Sequence, residues 1–428
     1  MLKRKTKSII SILCAIVLSG SLLAGCGSKD SDTSAKKEEP KENVTLEFWT
    51  ISLRPTFDNY FNDLIKKYET EHPNIKINWT DMPFDAIQSK LITSIAGGTA
   101  PDVVNLNTEM ALTLAGKGAL VDLNKEAGKE QKDIYIKTLL ESAKLKDGIY
   151  AFPWYGTPSV CMYNKALFEK AGLQNPPKTF DEMLSVAKQI KDKTGAYICI
   201  PDYYVQMLQL EGVKLLNDDN TKAAFNTPEA AEILTKYKKA VDEGVLPKTD
   251  WGNWDAMLQQ FSSGKIAMIN AGPQTLKRIK DEAPDIYKNI EVTTPLVGKA
   301  NIIRNPLMNV AVPEKSKHHK EAIDFASFVT NDENQLAFCK AVQVFPSTTK
   351  ASQDSFFKAD SKTPETKALT IIADELKNTV DLNAGTEKGA DISKTINNAS
   401  EAVILGSKDV KSALNEAEAK VNSILSGK

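Results

Sequence analysis

The stretch VTLEFWTISLRPTFDNYFNDLIKKYETEHPNIKINWT, residues 44–80, decides the fold. VTLEFWT (44–50) reads as a strand, rich in β-branched and aromatic residues. FDNYFNDLIKKYETEHP then places Phe57, Phe61, Leu64, Ile65 and Tyr68 at helical spacing, with Pro73 just past the end. IKINWT (75–80) alternates as a second strand, which puts Trp79 with Ile75 and Ile77 in a core. Further on, FDAIQSKLITSIAGG predicts a helix with Phe84, Ile87, Leu91 and Ile95 inward and Gly97-Gly98 as its stop. PDVVNLN (101–107) reads as a third strand. The order β-α-β-α-β implies right-handed crossovers and a largely parallel sheet. Ligands of such sheets gather beyond the carboxyl ends of the strands. Those ends present Trp49-Thr50, Thr80-Asp81 and Asn105 to Glu109.

Upstream, MLKRKTKS is a cationic leader and IISILCAIVLSGSLLAG an apolar run closing on small residues. This is the pattern of an export signal, with an uncleaved membrane anchor as the alternative. Leu23-Ala24-Gly25-Cys26 resembles a bacterial lipobox. The resemblance implies loss of residues 1–25 and lipid on Cys26, leaving the protein anchored to the cell membrane and facing outward. Residues 27–43 hold one apolar side chain, Ala35, so 26–43 is expected to be a disordered tether.

The 428 residues, 42% of them hydrophobic, suffice for two or three domains. Charges nearly balance at 54 Lys+Arg against 55 Asp+Glu, and four of the bases (Lys3, Arg4, Lys5, Lys7) lie in the leader. A mildly acidic body without a basic stripe argues against nucleic acid. Past Cys26, Cys161, Cys199 and Cys339 are widely spaced, and the histidines are His72, His318 and His319. No metal site or cofactor is expected; the thiols are either buried and free or include one disulfide.

The stretch YAFPWYGTPSVCMYNKALF (150–168) carries six rings, in a chain averaging 7% aromatic residues. Pro153, Gly156 and Pro158 mark a loop, so the rings are either core under an irregular segment or a surface facing a ligand. Downstream, Thr179-x-x-Glu182 reads as a capping box, and Thr227-Pro228 opens a helix ended by Gly244. KIAMIN (265–270) is a short strand, and SKHHKEAIDFASFVTND a helix with Ala322, Ile323, Phe325, Ala326 and Val329 apolar.

In order, EFWT, YETEHPNIKI, IAGGTAPDVV, GALVDL, GIYAFPWYGTPSVCMYNKALFEKAGL, PPKTFDEML, FNTPEAAEIL, FSSGKIAMINAG, AVPEKSKHHKEAIDFASFVTN and VFPSTTKA resemble the family 1 extracellular solute-binding proteins of ABC importers. The match runs through most of residues 44–350, with only helical character beyond. The resemblance implies an α/β, two-lobe periplasmic-binding-protein-like fold (type II), each lobe a mostly parallel sheet flanked by helices, with the ligand cleft between. It maps lobe 1 onto 44–152 and 300–334, and lobe 2 onto 153–299 and 335–428. It implies a non-enzymatic, monomeric receptor that captures a sugar, an oligosaccharide, by hinge closure and passes it to the membrane permease subunits. A peptide, a polyamine or a ferric ion is the alternative solute; Tyr203-Tyr204 would suit the last.

Sugars pair apolar C–H faces with hydroxyl edges, so a receptor wants flat rings beside directional polar groups. The expected ring contacts are Trp49, Trp154, Tyr155, Trp251 and Trp254, the last two sharing a helix face with one turned to ligand. Trp49 has a packing alternative under the first helix. The polar candidates are Thr50, Arg54, Asn107 and Glu109. Gly272 and Gln274 open a helix whose free N–H groups suit oxygen-rich ligands. Gln274 stands where many family members carry a tryptophan. Asn305, Met308 and Phe345, near later crossings, complete the set. Asp102, after Pro101, is expected to hold a turn instead.

Overall fold

The computed structural model describes residues 42–358 and 362–427. The leader, the lipobox Cys26 and the tether expected up to residue 41 lie outside the described residues. Strand β1 (Val44–Ile51) pairs in parallel with β2 (Ile75–Met82) and β3 (Val103–Asn107), as the opening stretch predicts. Helix α1 (Asp58–Glu71) turns Phe61, Leu64 and Tyr68 inward. Phe61 lies 4.7 Å from Trp79, and Phe48 packs edge-on to Phe325 at 5.3 Å, so the His319–Val329 helix shares that core. Helix α2 (Phe84–Ala96) buries Ile87 and Leu91, but Phe84, its first residue, is 45% exposed.

The hairpin β4 (Lys144–Leu145) and β5 (Gly148–Ile149) leads into β6 (Phe152–Gly156) and β7 (Val160–Asn164). The aromatic stretch is therefore two strands rather than a loop. A β-bulge reconciles this with Pro153, because the β11 register shifts between Met308 and Asn309 opposite it. The Pro153 carbonyl accepts from Ser347 Oγ at 2.6 Å and Gln335 Nε2 at 3.1 Å, side-chain donors outside the ladder.

Downstream strands are β8 (Met268–Ala271), β9 (Ile290–Thr293), β10 (Ile303–Arg304), β11 (Leu307–Ala311), β12 (Phe345–Pro346) and β13 (Thr379–Val380). The larger sheet runs β12-β6-β11-β3-β1-β2 and the smaller β8-β7-β9. Pairings of β11 with β3 and β6, β12 with β6, and β7 with both neighbours are antiparallel. The larger sheet is thus mixed and the smaller antiparallel, not mostly parallel; in the larger, β11 and β12 return from the other half against the local direction. Single parallel bridges, Tyr197 to Ile266 and Thr179 to Val297, extend the smaller sheet's side. Two boundaries also shift. β6 keeps 153–156 on the larger sheet, where a crossing at 152/153 was expected, and β12 keeps 345–346 there as well.

The passage between the sheets is a ribbon. Thr157 N donates to Pro306 O at 3.0 Å, Ser159 N to Arg304 O at 3.3 Å, and Asn305 N to Val380 O at 2.8 Å. β10 lies parallel to β13, and Asn305 Nδ2 donates to Thr379 Oγ1 at 3.2 Å. A Cβ on Gly156 would lie 2.1 Å from Asn305 Oδ1, so this close approach needs glycine. Thr179 and Thr227 cap their helices as expected, accepting from Glu182 N and Ala230 N. Cys161, Cys199 and Cys339 are buried free thiols.

Candidate functional site

Helix α3 (Thr108–Gly116) starts at the carboxyl end of β3, and Asn107 caps it by accepting from Met110 N at 2.8 Å. The cap aims Glu109 away from the larger sheet, toward the 204–210 and 389–404 helices of the other half. A cavity of about 180 Å³ lies there, lined by Glu109 and Leu112 on one side and by Tyr203, Gln206, Asn383 and Asn397 among others on the opposite side. Tyr203 and Asn397 also line a second cavity of about 360 Å³, with Trp251, Lys248, Asp250 and Asn253. Trp251 Nε1 donates to Pro247 O at 3.0 Å, and Tyr237 meets the ring edge-on at 5.7 Å, so the indole is fixed. Tyr203 is 43% exposed, a free phenol face.

Asp381 and Asp202 adjoin in sequence the lining residues Leu382 and Tyr203. Burial, more than any partner, raises Asp381 from 3.8 to about 6; Thr108, Arg304 and the Leu307 N–H oppose the rise, and Glu109 adds to it. Asp381 Oδ2 and Gln206 Oε1 are buried and find no partner among the described residues. Glu109 is itself raised, first by loss of water and then by Asp391. Asp202 is raised by burial, with Arg304 offsetting. Thr108 is fixed in turn, since its Oγ1 accepts from Asn309 Nδ2 at 3.0 Å.

Glu109 and Trp251 line these cavities; the other expected contacts lie elsewhere. Trp154 is fully buried and stacks on Phe338 at 4.8 Å, which corrects the expectation of a ligand-facing indole. The alternation that turns Trp154 into the core follows from β6 being a strand. Trp49 is 8% exposed in a core cluster with Val104, Ile87 and Leu91, so it packs against the second helix, not under the first as its packing alternative had it. Phe345 is buried against Phe357. Thr50 is buried, donating to Asp81 at 2.6 Å and accepting from Trp79 Nε1 at 2.7 Å. Arg54 stacks over Trp79 at 3.9 Å instead of reaching the gap. Asn305 is spent in the ribbon. Asn107, Met308 and Tyr155 form one row across β3, β11 and β6 beside the gap, with Tyr155 against Phe338. Gly272 is buried and Gln274 half-buried at the end of β8; neither lines a cavity described above. Trp251 sits in the turn before the Trp254–Ser262 helix, so it shares no helix face with Trp254, which is 39% exposed.

Sequence reasoning missed Gln206, Asp381, Asn383, Asp391 and Asn397. They come from separate segments and meet only through tertiary structure. Tyr203 was visible as half of a tyrosine doublet, but its neighbour Tyr204 is buried and donates to Ala230 O.

A family model described as bacterial extracellular solute-binding protein matches residues 63–365. The chain belongs to this family. Its members are substrate-binding proteins of transporters, and the fold is the two-lobe type II fold of periplasmic binding proteins. A crystal structure of a periplasmic-binding protein from Synechococcus sp. MITs9220 is similar, with a TM-score of 0.80 at 29% identity, covering 89% of this chain and 99% of that one. The diacetylchitobiose binding protein DasA of Streptomyces coelicolor is 28% identical, covering 78% of this chain and 81% of its own. A maltooligosaccharide ABC transporter solute-binding lipoprotein of Streptococcus pneumoniae is 26% identical across 95% of each chain.

Proposed function

We propose that this protein is the extracytoplasmic receptor of an ABC importer, taking up a saccharide between its lobes and delivering it to the permease subunits. The observation that carries the reading is the pairing of Trp251 and Tyr203 with Asn253 and Asn397 around a cavity of about 360 Å³. Flat rings beside amide donors and acceptors match the two chemistries of a sugar. Two relatives, named as binding proteins for diacetylchitobiose and maltooligosaccharide, point the same way. Lobe 1 is taken as the half around the larger sheet and lobe 2 as the half around the smaller, joined at the β10–β13 ribbon. A thermal-shift screen over mono-, di- and oligosaccharides tests the reading, with peptides, polyamines and ferric salt as the competing solutes. Stabilisation by a sugar supports it; stabilisation by a competing solute alone refutes it.

The receptor works as a monomer held to the membrane by lipid on Cys26, after removal of the leader. The motif Leu23-Ala24-Gly25-Cys26 supports this; two or more acyl chains give stable anchoring. Cys26→Ser should shift the protein from the membrane to the soluble fraction or leave the leader uncleaved, read by fractionation and mass. Unchanged, processed membrane protein would rule the anchor out.

A further inference from the structure

We infer that the gap selects its saccharide by charge, taking neutral or amine-bearing sugars and excluding those that carry carboxylates. The inference rests on the receptor reading above and goes further by naming the ligand's electrostatic class. Glu109 lines the smaller cavity from α3 on one half, opposite Ser393 and Asn397 of the 389–404 helix, and the charge of Asp391 on that helix disfavours a further negative charge at Glu109. Asp381 stands within reach of both Glu109 and Thr108. Arg304 lies outside the lining of both cavities, and its charge partly offsets the effect of burial on Asp202 and Asp381. The adjoining cavity has Asp250 and Glu401 in its lining beside Lys248, two acids to one base.

The remaining polar lining is made of neutral amides, phenol and hydroxyl groups. Gln206 lines the smaller cavity, and its Oε1, without a partner among the described residues, is an acceptor awaiting a donor. A sugar hydroxyl or ammonium supplies one; a sugar carboxylate supplies none and adds a like charge in a site stripped of water. Unpaired buried acceptors and like-charge contact both count against such a ligand. The two halves together present acid, so closure around an anion opposes itself.

The test uses α-1,4- and β-1,4-linked glucose trisaccharides in neutral, 2-amino and 6-carboxyl forms, titrated calorimetrically into the protein at about 20 mM salt, where screening is weak. The carboxyl form should bind at least tenfold more weakly than its neutral or amino counterpart. Glu109→Gln and Asp381→Asn should each narrow that gap several-fold, as should raised salt. Equal or tighter binding of the carboxyl form, or a gap unmoved in both variants, overturns the inference while leaving the receptor reading intact. Failure of every form to bind overturns the receptor reading itself.

Discussion

At the scale of single residues, the informative contrast is between Asp102 and Asp381. Asp102 follows a proline at a strand start, and it holds the turn as expected, accepting from Glu47 N at 2.9 Å and Ser316 Oγ at 2.6 Å. Asp381 carries no local signal, because its character comes from burial against residues far away in sequence. Its folded pKa of about 6 lies above the ordinary 3.8, so the native state binds its proton more tightly than the unfolded chain. Below about pH 4 the group is neutral in both states and exacts no cost. As pH rises through 4 to 6 the unfolded chain ionises first, and stability falls. Asp381→Asn removes that fall, gaining up to about 3 kcal/mol relative to wild type between pH 4 and 7. Urea denaturation at the two ends of this range checks it; a constant difference between the proteins would disprove the assignment. Trp154 shows the opposite lesson. Its type and setting suggested a ligand face, but in a strand the side-chain direction follows register, which one sequence does not display.

Elements were legible where local chemistry sets them. The caps at Thr179 and Thr227 and the buried faces of α1 and the 319–329 helix all follow from spacing and turn residues. β6 was not, because its Pro153 is tolerated only through the bulge and through Gln335. Gln335 Oε1 accepts from Ser347 N at 2.7 Å while its Nε2 donates to Pro153 O, so one amide ties the 332–342 helix to β6 and to the residue after β12. Gln335→Ala leaves a buried N–H and weakens a buried carbonyl's satisfaction, and should cost roughly 2–4 kcal/mol. A melting temperature lowered by several degrees, with sugar affinity preserved in the folded fraction, is the expected result. A shift below 1 °C would show that the three segments hold without it.

For the whole molecule, the two-lobe plan followed from the order of weak motifs, although no single one was specific. The boundaries and strand directions did not, because they depend on which strands return across the ribbon. The proposed receptor closes about a hinge, and the backbone bonds of the ribbon, Thr157 to Pro306 and Ser159 to Arg304, are its candidate. Saturation with a binding sugar should therefore reduce the radius of gyration in solution scattering, by about an ångström. An unchanged radius with full occupancy would exclude hinge closure.

The central place of β11 has a consequence for how the polypeptide matures. It fills the slot between β3 and β6, and 204 residues separate Asn105 from the Asn309 carbonyl it bonds. An emerging chain thus holds β1 to β3 apart from β6 until the late segment arrives, and such distant pairing is slow. For the exported receptor proposed above, that postponement would leave the chain pliable during its passage across the membrane.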